Sequence, residues 1–234
     1  MNDGVIAGLA MLAGLAPSPV LAGRLARAPA LVQRCAAIPP ALDDLHWAAL
    51  LDAVTVQETR LFRHPSQFAA LDAALAMRPP GPLRLLSAGC ATGEEAWSLA
   101  ALARRHGPAE VVGLDLCRPA LARAEAGELG TVLGNPLECV PAAFLPLFGG
   151  GVVAPVLRPL ARFARANLLA APPGTFDVIF CRNVLIYLHD AAREAVMANL
   201  VAALRPGGLL ALGPTDRPPP ALHALGESLW RRDG

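Results

Sequence analysis

Apolar positions in the first third of the chain recur at helical spacing. Near 41–53, Leu42, Leu45, Ala49 and Leu50 share one face, with Asp43 and Asp44 available as caps. Over 65–77, Phe68, Leu71 and Leu75 form a second stripe. Pro79-Pro80-Gly81-Pro82 then breaks the pattern. Beyond it, short apolar runs predict strands at 83–88, 111–116, 176–181 and 209–213. Helical patterns fall between them at 94–106, 119–126 and 190–204, the last with Asp190 as its cap and Gly207-Gly208 as its stop. Strands alternating with helices predict an α/β fold, a Rossmann-like, doubly wound parallel sheet. The expected organisation is a small helical N-terminal domain and linker over 1–78, followed by the sheet domain over 79–234. One stretch, 127–166, breaks the rhythm with Pro136, Pro141, Pro146, Pro155, Pro159 and the run Gly149-Gly150-Gly151. It reads as an inserted subdomain with a short hairpin at the glycines. Pro155 and Pro159 restrict any strand there to a sheet edge.

Residues 4–22 are almost all apolar, but Met-Asn-Asp precedes them, Pro17 and Pro19 interrupt them, and glycines recur at 4, 8 and 14. The expectation is a packed helix rather than a signal or a membrane span, and a cytoplasmic protein. The hydrophobic fraction of 54% supports a sizeable core. Charge is balanced, 20 basic residues against 19 acidic, which gives no global footprint for nucleic acid. Every basic residue is arginine. The five cysteines, Cys35, Cys90, Cys117, Cys139 and Cys181, include no C-x-x-C pair and read as reduced thiols. No metal site is expected.

The chemistry centres on Ser87-Ala88-Gly89-Cys90-Ala91-Thr92-Gly93-Glu94-Glu95, a loop between a predicted strand and a predicted helix. Glycines at such a turn allow close approach to the backbone, and open α/β sheets bind ligands at these strand ends. A dinucleotide would set its pyrophosphate on the helix N-terminus, where Glu94 and Glu95 repel it. S-adenosylmethionine carries a sulfonium and an ammonium instead, and a nearby carboxylate suits both. Asp115 ends the second strand, 22 residues after Gly93, placed to accept hydrogen bonds from ribose hydroxyls. The strand Phe176-Asp177-Val178-Ile179-Phe180-Cys181 delivers Arg182 and Asn183 to the same end, with Tyr187, the chain's only tyrosine, shortly after.

These blocks resemble the chemotaxis receptor methyltransferases, the CheR family. The glycine loop with Ser98-Leu99-Ala100 is similar to that family's cofactor loop, and the run from Phe176 to Tyr187 is a near-literal match to a second motif. Asn167-Leu168-Leu169 matches a third, and Thr55-Val56-Gln57-Glu58-Thr59-Arg60-Leu61-Phe62-Arg63 resembles the linker motif. The resemblance spans about 54–213 and implies a class I methyltransferase fold with S-adenosylmethionine as cofactor. It implies that Glu94 meets the methionine end, Asp115 the ribose, and Asn167 and Leu168 the adenine side, with Gly89 among the cofactor-binding residues. It also implies that Thr59 and Arg63 close over the cofactor from the linker, with Gln57 at a cofactor-contact position, and that Arg182, Asn183 and Tyr187 line the reactive face. Arg63 and Tyr187 are the expected catalytic pair, and the implied acceptor is a glutamate on a chemoreceptor's cytoplasmic domain. Three departures stand out: Gln57 in place of asparagine, Cys117 in place of an acidic residue, and Gly213-Pro214-Thr215-Asp216 in place of glycine-histidine-serine-glutamate. Residues 1–53 and 127–166 match poorly. A same-fold methyltransferase with another protein or small-molecule acceptor, and a cofactor-binding signalling module without turnover, stay open at this point.

Overall fold

The computed structural model describes residues 2–131 and 134–233. Four helices lead: α1 (Asn2–Ala13), α2 (Pro19–Ala26), α3 (Pro29–Cys35) and α4 (Leu45–Val54). The apolar run at 4–22 is thus two helices parted at Gly14, not one span. Val5, Leu9, Leu21, Leu25, Trp47 and Leu51 join in a core of their own. Asp44 caps α4, accepting from the backbone N–H groups of His46 and Trp47 at 2.9 and 3.0 Å. No described helix is long and apolar enough to cross a membrane.

α5 (Pro65–Ala76) follows, then β1 (Leu83–Ala88), α6 (Glu94–Ala103), β2 (Ala109–Asp115), α7 (Arg118–Ala126), β3 (Ala161–Arg165), β4 (Phe176–Cys181), α8 (Asp190–Ala203), β5 (Leu204–Leu212), β6 (Leu222–Gly226) and β7 (Leu229–Arg232). Among the described residues, the strands form one sheet in the order β3-β2-β1-β4-β5-β7-β6. β1 to β5 pair in parallel, while β7 runs antiparallel to both β5 and β6. Strand order reverses between β1 and β4, which opens a crevice at their carboxyl ends. β1 and β4 are buried along nearly their whole length, as central parallel strands require.

Several expectations change in packing. The proline break at 79–82 separates α5 from β1 in sequence only: Phe68, Leu71 and Leu75 of α5 pack with Leu85, Trp97 and Phe180 on one face of the sheet. The insertion narrows to 127–160, because β3 pairs with β2 as the sheet's edge strand. The segment before β3 is built from short 3-10 turns, with no hairpin at the glycines, and buries Phe144, Phe148 and Leu157 in the sheet's core. α8 is capped by His189, whose Nδ1 accepts from the Ala192 N–H at 3.2 Å, rather than by Asp190. It ends at Ala203, before Gly207-Gly208, because buried Leu204 already pairs with Phe176 as β5.

Candidate functional site

The β1–α6 loop is a chain of backbone turns anchored to β2. The Gly89 and Cys90 N–H groups donate to the Leu114 carbonyl at 2.8 and 3.0 Å. The Ala91 N–H donates to Asp115 Oδ2 at 2.8 Å, while Asp115 Oδ1 accepts from the Cys117 N–H at 2.9 Å. The loop alternates left-handed residues: Gly89 at φ 78°, Ala91 at φ 48° and Gly93 at φ 94°. At Gly93 a Cβ would fall 2.7 Å from the Cβ of Ala124, so only glycine lets α6 start this close to α7. One cleft opens over this loop at the β1/β4 switch. Gly89, Asp115, Asn167, Leu168, Arg182, Asn183, Tyr187 and Arg63 all line it.

These eight expected residues therefore meet; three others do not reach the cleft lining. Glu94 is fully buried, and its carboxylate accepts from Thr92 Oγ1 and from the Gly130 N–H, both at 2.7 Å. Those bonds turn it toward 127–160 and away from the cleft. Gln57 donates its amide to Cys117 Sγ at 2.7 Å and to the Asp52 carbonyl at 3.2 Å. The two departures from the family pattern, Gln57 and Cys117, thus touch each other. Burial raises the Cys117 thiol to about 11, so it meets that amide protonated. Thr59 is half-buried in the linker, outside the lining.

Sequence reasoning missed the cleft's second wall. Leu15, Ser18 and Leu21 line it from the N-terminal helices. The Ala16 N–H donates to the Tyr187 carbonyl at 2.8 Å, the His189 N–H to the Gly14 carbonyl at 2.9 Å, and Asn167 Nδ2 to the Leu12 carbonyl at 2.6 Å. The Gly14 and Pro17 interruptions were the available signal: they allow the chain to leave α1 and lie along the Tyr187 segment. Sequence reasoning read Glu95 together with Glu94, as carboxylates that repel a pyrophosphate and suit the cofactor's cationic groups. Glu95 is the buried partner of Arg182, its Oε2 accepting from Arg182 Nε at 2.7 Å and its Oε1 from Ser87 Oγ at 2.7 Å.

The cleft's chemistry suits a cationic ligand with polar ends. Asp115 brings a carboxylate whose oxygens each accept one backbone N–H and keep a further lone pair. Asn183 sits in a left-handed bend at φ 58° with Oδ1 buried and unpartnered, an acceptor awaiting a donor. Arg182 is neutralised by Glu95, so it offers no free charge to a pyrophosphate. Burial raises the Tyr187 phenol, with the Glu58 charge adding to it, so the hydroxyl stays protonated.

Residues 57–223 match the CheR methyltransferase, SAM binding domain. The chain is 36% identical over 187 residues to a chemotaxis protein methyltransferase of Klebsiella aerogenes, covering 73% of this chain and 63% of that one. It is 33% identical to a probable biofilm formation methyltransferase of Pseudomonas aeruginosa, covering 72% and 43%. A chemotaxis protein methyltransferase of the same organism is 32% identical, covering 71% and 68%. The matched model and the Rossmann-like sheet define an S-adenosylmethionine-binding methyltransferase domain. Within that class, the chain belongs to the CheR family. It spans less than two thirds of the Klebsiella relative's length.

Asp115 gives the sharpest test of the cleft. Asp115→Ala is expected to weaken S-adenosylhomocysteine by about 1.5–3 kcal/mol, the scale of hydrogen bonds to a charged group, as read by calorimetry. Burial raises the Asp115 carboxyl above its ordinary 3.8, against backbone hydrogen bonds that lower it. The folded protein therefore holds this proton more tightly than the unfolded chain. The group's contribution favours folding at low pH and is lost as pH rises through the unfolded value towards the folded one. Ligand affinity carries the opposite sign, because the ionised form is the better acceptor. It should fall with acidification, with a midpoint above the ordinary carboxyl value, and the midpoint should vanish in Asp115→Asn.

Proposed function

We propose that this chain methylates glutamate side chains on the cytoplasmic domain of a chemoreceptor, forming methyl esters. The observation that carries this reading is the presence of Arg63 and Tyr187 together in the cleft's lining, a guanidinium fork beside a protonated phenol. Among the described lining residues there is no histidine, and the acids are Glu58 and Asp115, the latter tied to two backbone N–H groups. A glutamate carboxylate is ionised at neutral pH, with a reference pKa of about 4.3, and needs no base. Arg63 uses one N–H on the Glu58 carbonyl at 3.3 Å and keeps the rest of its fork for a carboxylate.

Bound S-adenosylmethionine supplies an electrophilic methyl group on its sulfonium. Asp115 and Asn183 are assigned to hold it, Arg63 to orient the acceptor carboxylate, and Tyr187 to pack beside the reacting groups with its phenol protonated. The ionised acceptor would take that methyl group on its carboxylate oxygen with no proton to lose, so the chain's own residues have only to hold and orient the two reactants. Holding the reactants in line can supply about 7–11 kcal/mol at best. Tyr187→Phe should keep ligand affinity within about threefold and act mainly on turnover; unchanged turnover would reduce Tyr187 to a packing residue.

The deciding experiment transfers labelled methyl groups into membranes containing chemoreceptors, then applies mild alkali. Carboxyl methyl esters release volatile methanol; methylated amines and thioethers do not. Label on receptor that alkali leaves in place would refute the glutamate assignment. A second reading rests on the Pseudomonas relative named for biofilm formation: the methylated receptor serves biofilm formation rather than chemotaxis. The ester chemistry is then unchanged, and only the labelled receptor differs.

A further inference from the structure

Arg63 stands in a bend that its sequence does not favour. The residues on either side are bulky and left-handed, Phe62 at φ 49° and His64 at φ 61°. Such a conformation persists only where its surroundings over-determine it. Here the clamps are visible. The Phe62 N–H donates to buried Ser98 Oγ at 2.9 Å, and the His64 carbonyl accepts from the Gln67 N–H at 3.0 Å. The Arg63 carbonyl accepts from Arg182 Nη1.

Gln67 is the unexplained member of this cluster. It is a polar residue on α5, only 2% exposed, in a helix otherwise packed by Phe68, Leu71 and Leu75. Its Oε1 accepts from the same Arg182 Nη1 at 3.1 Å. Its Nε2 donates to the carbonyls of Leu212, at the end of β5, and Ser228, just before β7, at 3.1 and 2.9 Å. The Arg182 guanidinium is thus fixed from two sides, by Glu95 at Nε and by Gln67 at Nη1, with the rings of Phe68 and Phe180 each 5.1 Å from its centre. An arginine held so firmly presents one N–H to the Arg63 carbonyl in a defined direction.

We propose that Gln67 is a positioning residue. Its Oε1 holds the Arg182 guanidinium so that Arg182 clamps the Arg63 carbonyl and sends the Arg63 side chain into the cleft. The proposal rests on the reading of Arg63 as the residue that orients the acceptor.

The test uses Gln67→Met, which keeps the volume and removes the hydrogen bonds, and Gln67→Glu, which keeps the acceptor for Arg182 and loses the donors. Three measurements are made: methyl-transfer kinetics, S-adenosylhomocysteine affinity, and amide exchange of the ligand-free protein. Gln67→Met should lower turnover about tenfold or more, since a misplacement of about 1 Å can cost that much or more, while KM moves less than about threefold. In an Arg63→Ala background the same substitution should change turnover less than about twofold, because the two act as a unit. Gln67→Glu sets an acceptor against the Leu212 and Ser228 carbonyls and should lower stability, but the folded protein should retain at least about half the wild-type turnover, because Arg182 keeps its partner. Amides at 62–64 should exchange faster in Gln67→Met and near the wild-type rate in Gln67→Glu. Equal losses with and without Arg63, or unchanged exchange at 62–64, would overturn the proposal. So would Gln67→Glu behaving like Gln67→Met, and this arm still decides if Gln67→Met does not fold. If wild-type protein methylates no receptor glutamate, the functional reading fails, while the exchange measurement still decides whether Gln67 holds the Arg63 bend.

Discussion

Glu95→Ala should lower the unfolding free energy by about 3–5 kcal/mol, the cost of breaking a buried pair and stranding its partner. Glu95 and Arg182 are both buried, and their contact is 2.7 Å. Removing the carboxylate leaves a guanidinium between Phe68 and Phe180 with carbonyl and amide acceptors but no counter-charge. Cation–π contact offsets only part of that, about 2 kcal/mol in a desolvated site. Ser87 Oγ loses its acceptor as well. The exposed pair Arg60–Glu138, with Glu138 62% exposed, is the internal control: Glu138→Ala should change stability by no more than about 1 kcal/mol. Urea unfolding with an unchanged slope checks both values. A loss below about 1 kcal/mol for Glu95→Ala would show that water reaches Arg182 and that the clamp on Arg63 is loose.

Such a pair shows where sequence reading stops. β1 and β4 are legible to the residue because central parallel strands are buried on both faces and read as unbroken apolar runs. β3 reads Ala-Arg-Phe-Ala-Arg and is half exposed, an edge strand whose pattern carries no continuous apolar signal; the prolines before it predicted the edge but not the strand. β5 begins four residues before Gly208 because burial of Leu204 against Phe176 outweighs the turn signal of Pro206-Gly207-Gly208. β6 and β7 are short and antiparallel, β6 largely exposed and β7 only partly buried, and they were not anticipated.

In the site, the residues carried by strand ends were legible: Gly89, Asp115, Arg182 and Asn183 share one end of the sheet because the strands are parallel. Long-range partners were not. Glu94 and Glu95 are adjacent and identical in type, yet one turns to Gly130, 36 residues on, and the other to Arg182, 87 residues on. Nothing local distinguishes them. Gln57 and Cys117 were each legible as a departure, and only the fold shows that they are in contact.

Gly89→Ala should close the cleft at its floor. Gly89 adopts φ 78°, where a Cβ costs about 1–2 kcal/mol. That Cβ would lie 2.3 Å from Val184 Cγ2, and Val184 itself lines the cleft. Overpacking of this kind adds about 1–3 kcal/mol unless the neighbour moves. Two outcomes follow from one cause: stability drops by about 2–5 kcal/mol in all, and the bend that carries Asn183 shifts with Val184, so S-adenosylhomocysteine affinity falls by about tenfold or more. The two contributions separate in a double variant. Val184→Ala removes the contacting methyl groups and should restore the overpacking part in Gly89→Ala, while the left-handed penalty of about 1–2 kcal/mol remains. Denaturant unfolding and calorimetry on the two single variants and the double variant measure this. Full additivity would mean that Val184 does not carry the strain, and that the loop between β1 and α6 tolerates a side chain the geometry excludes.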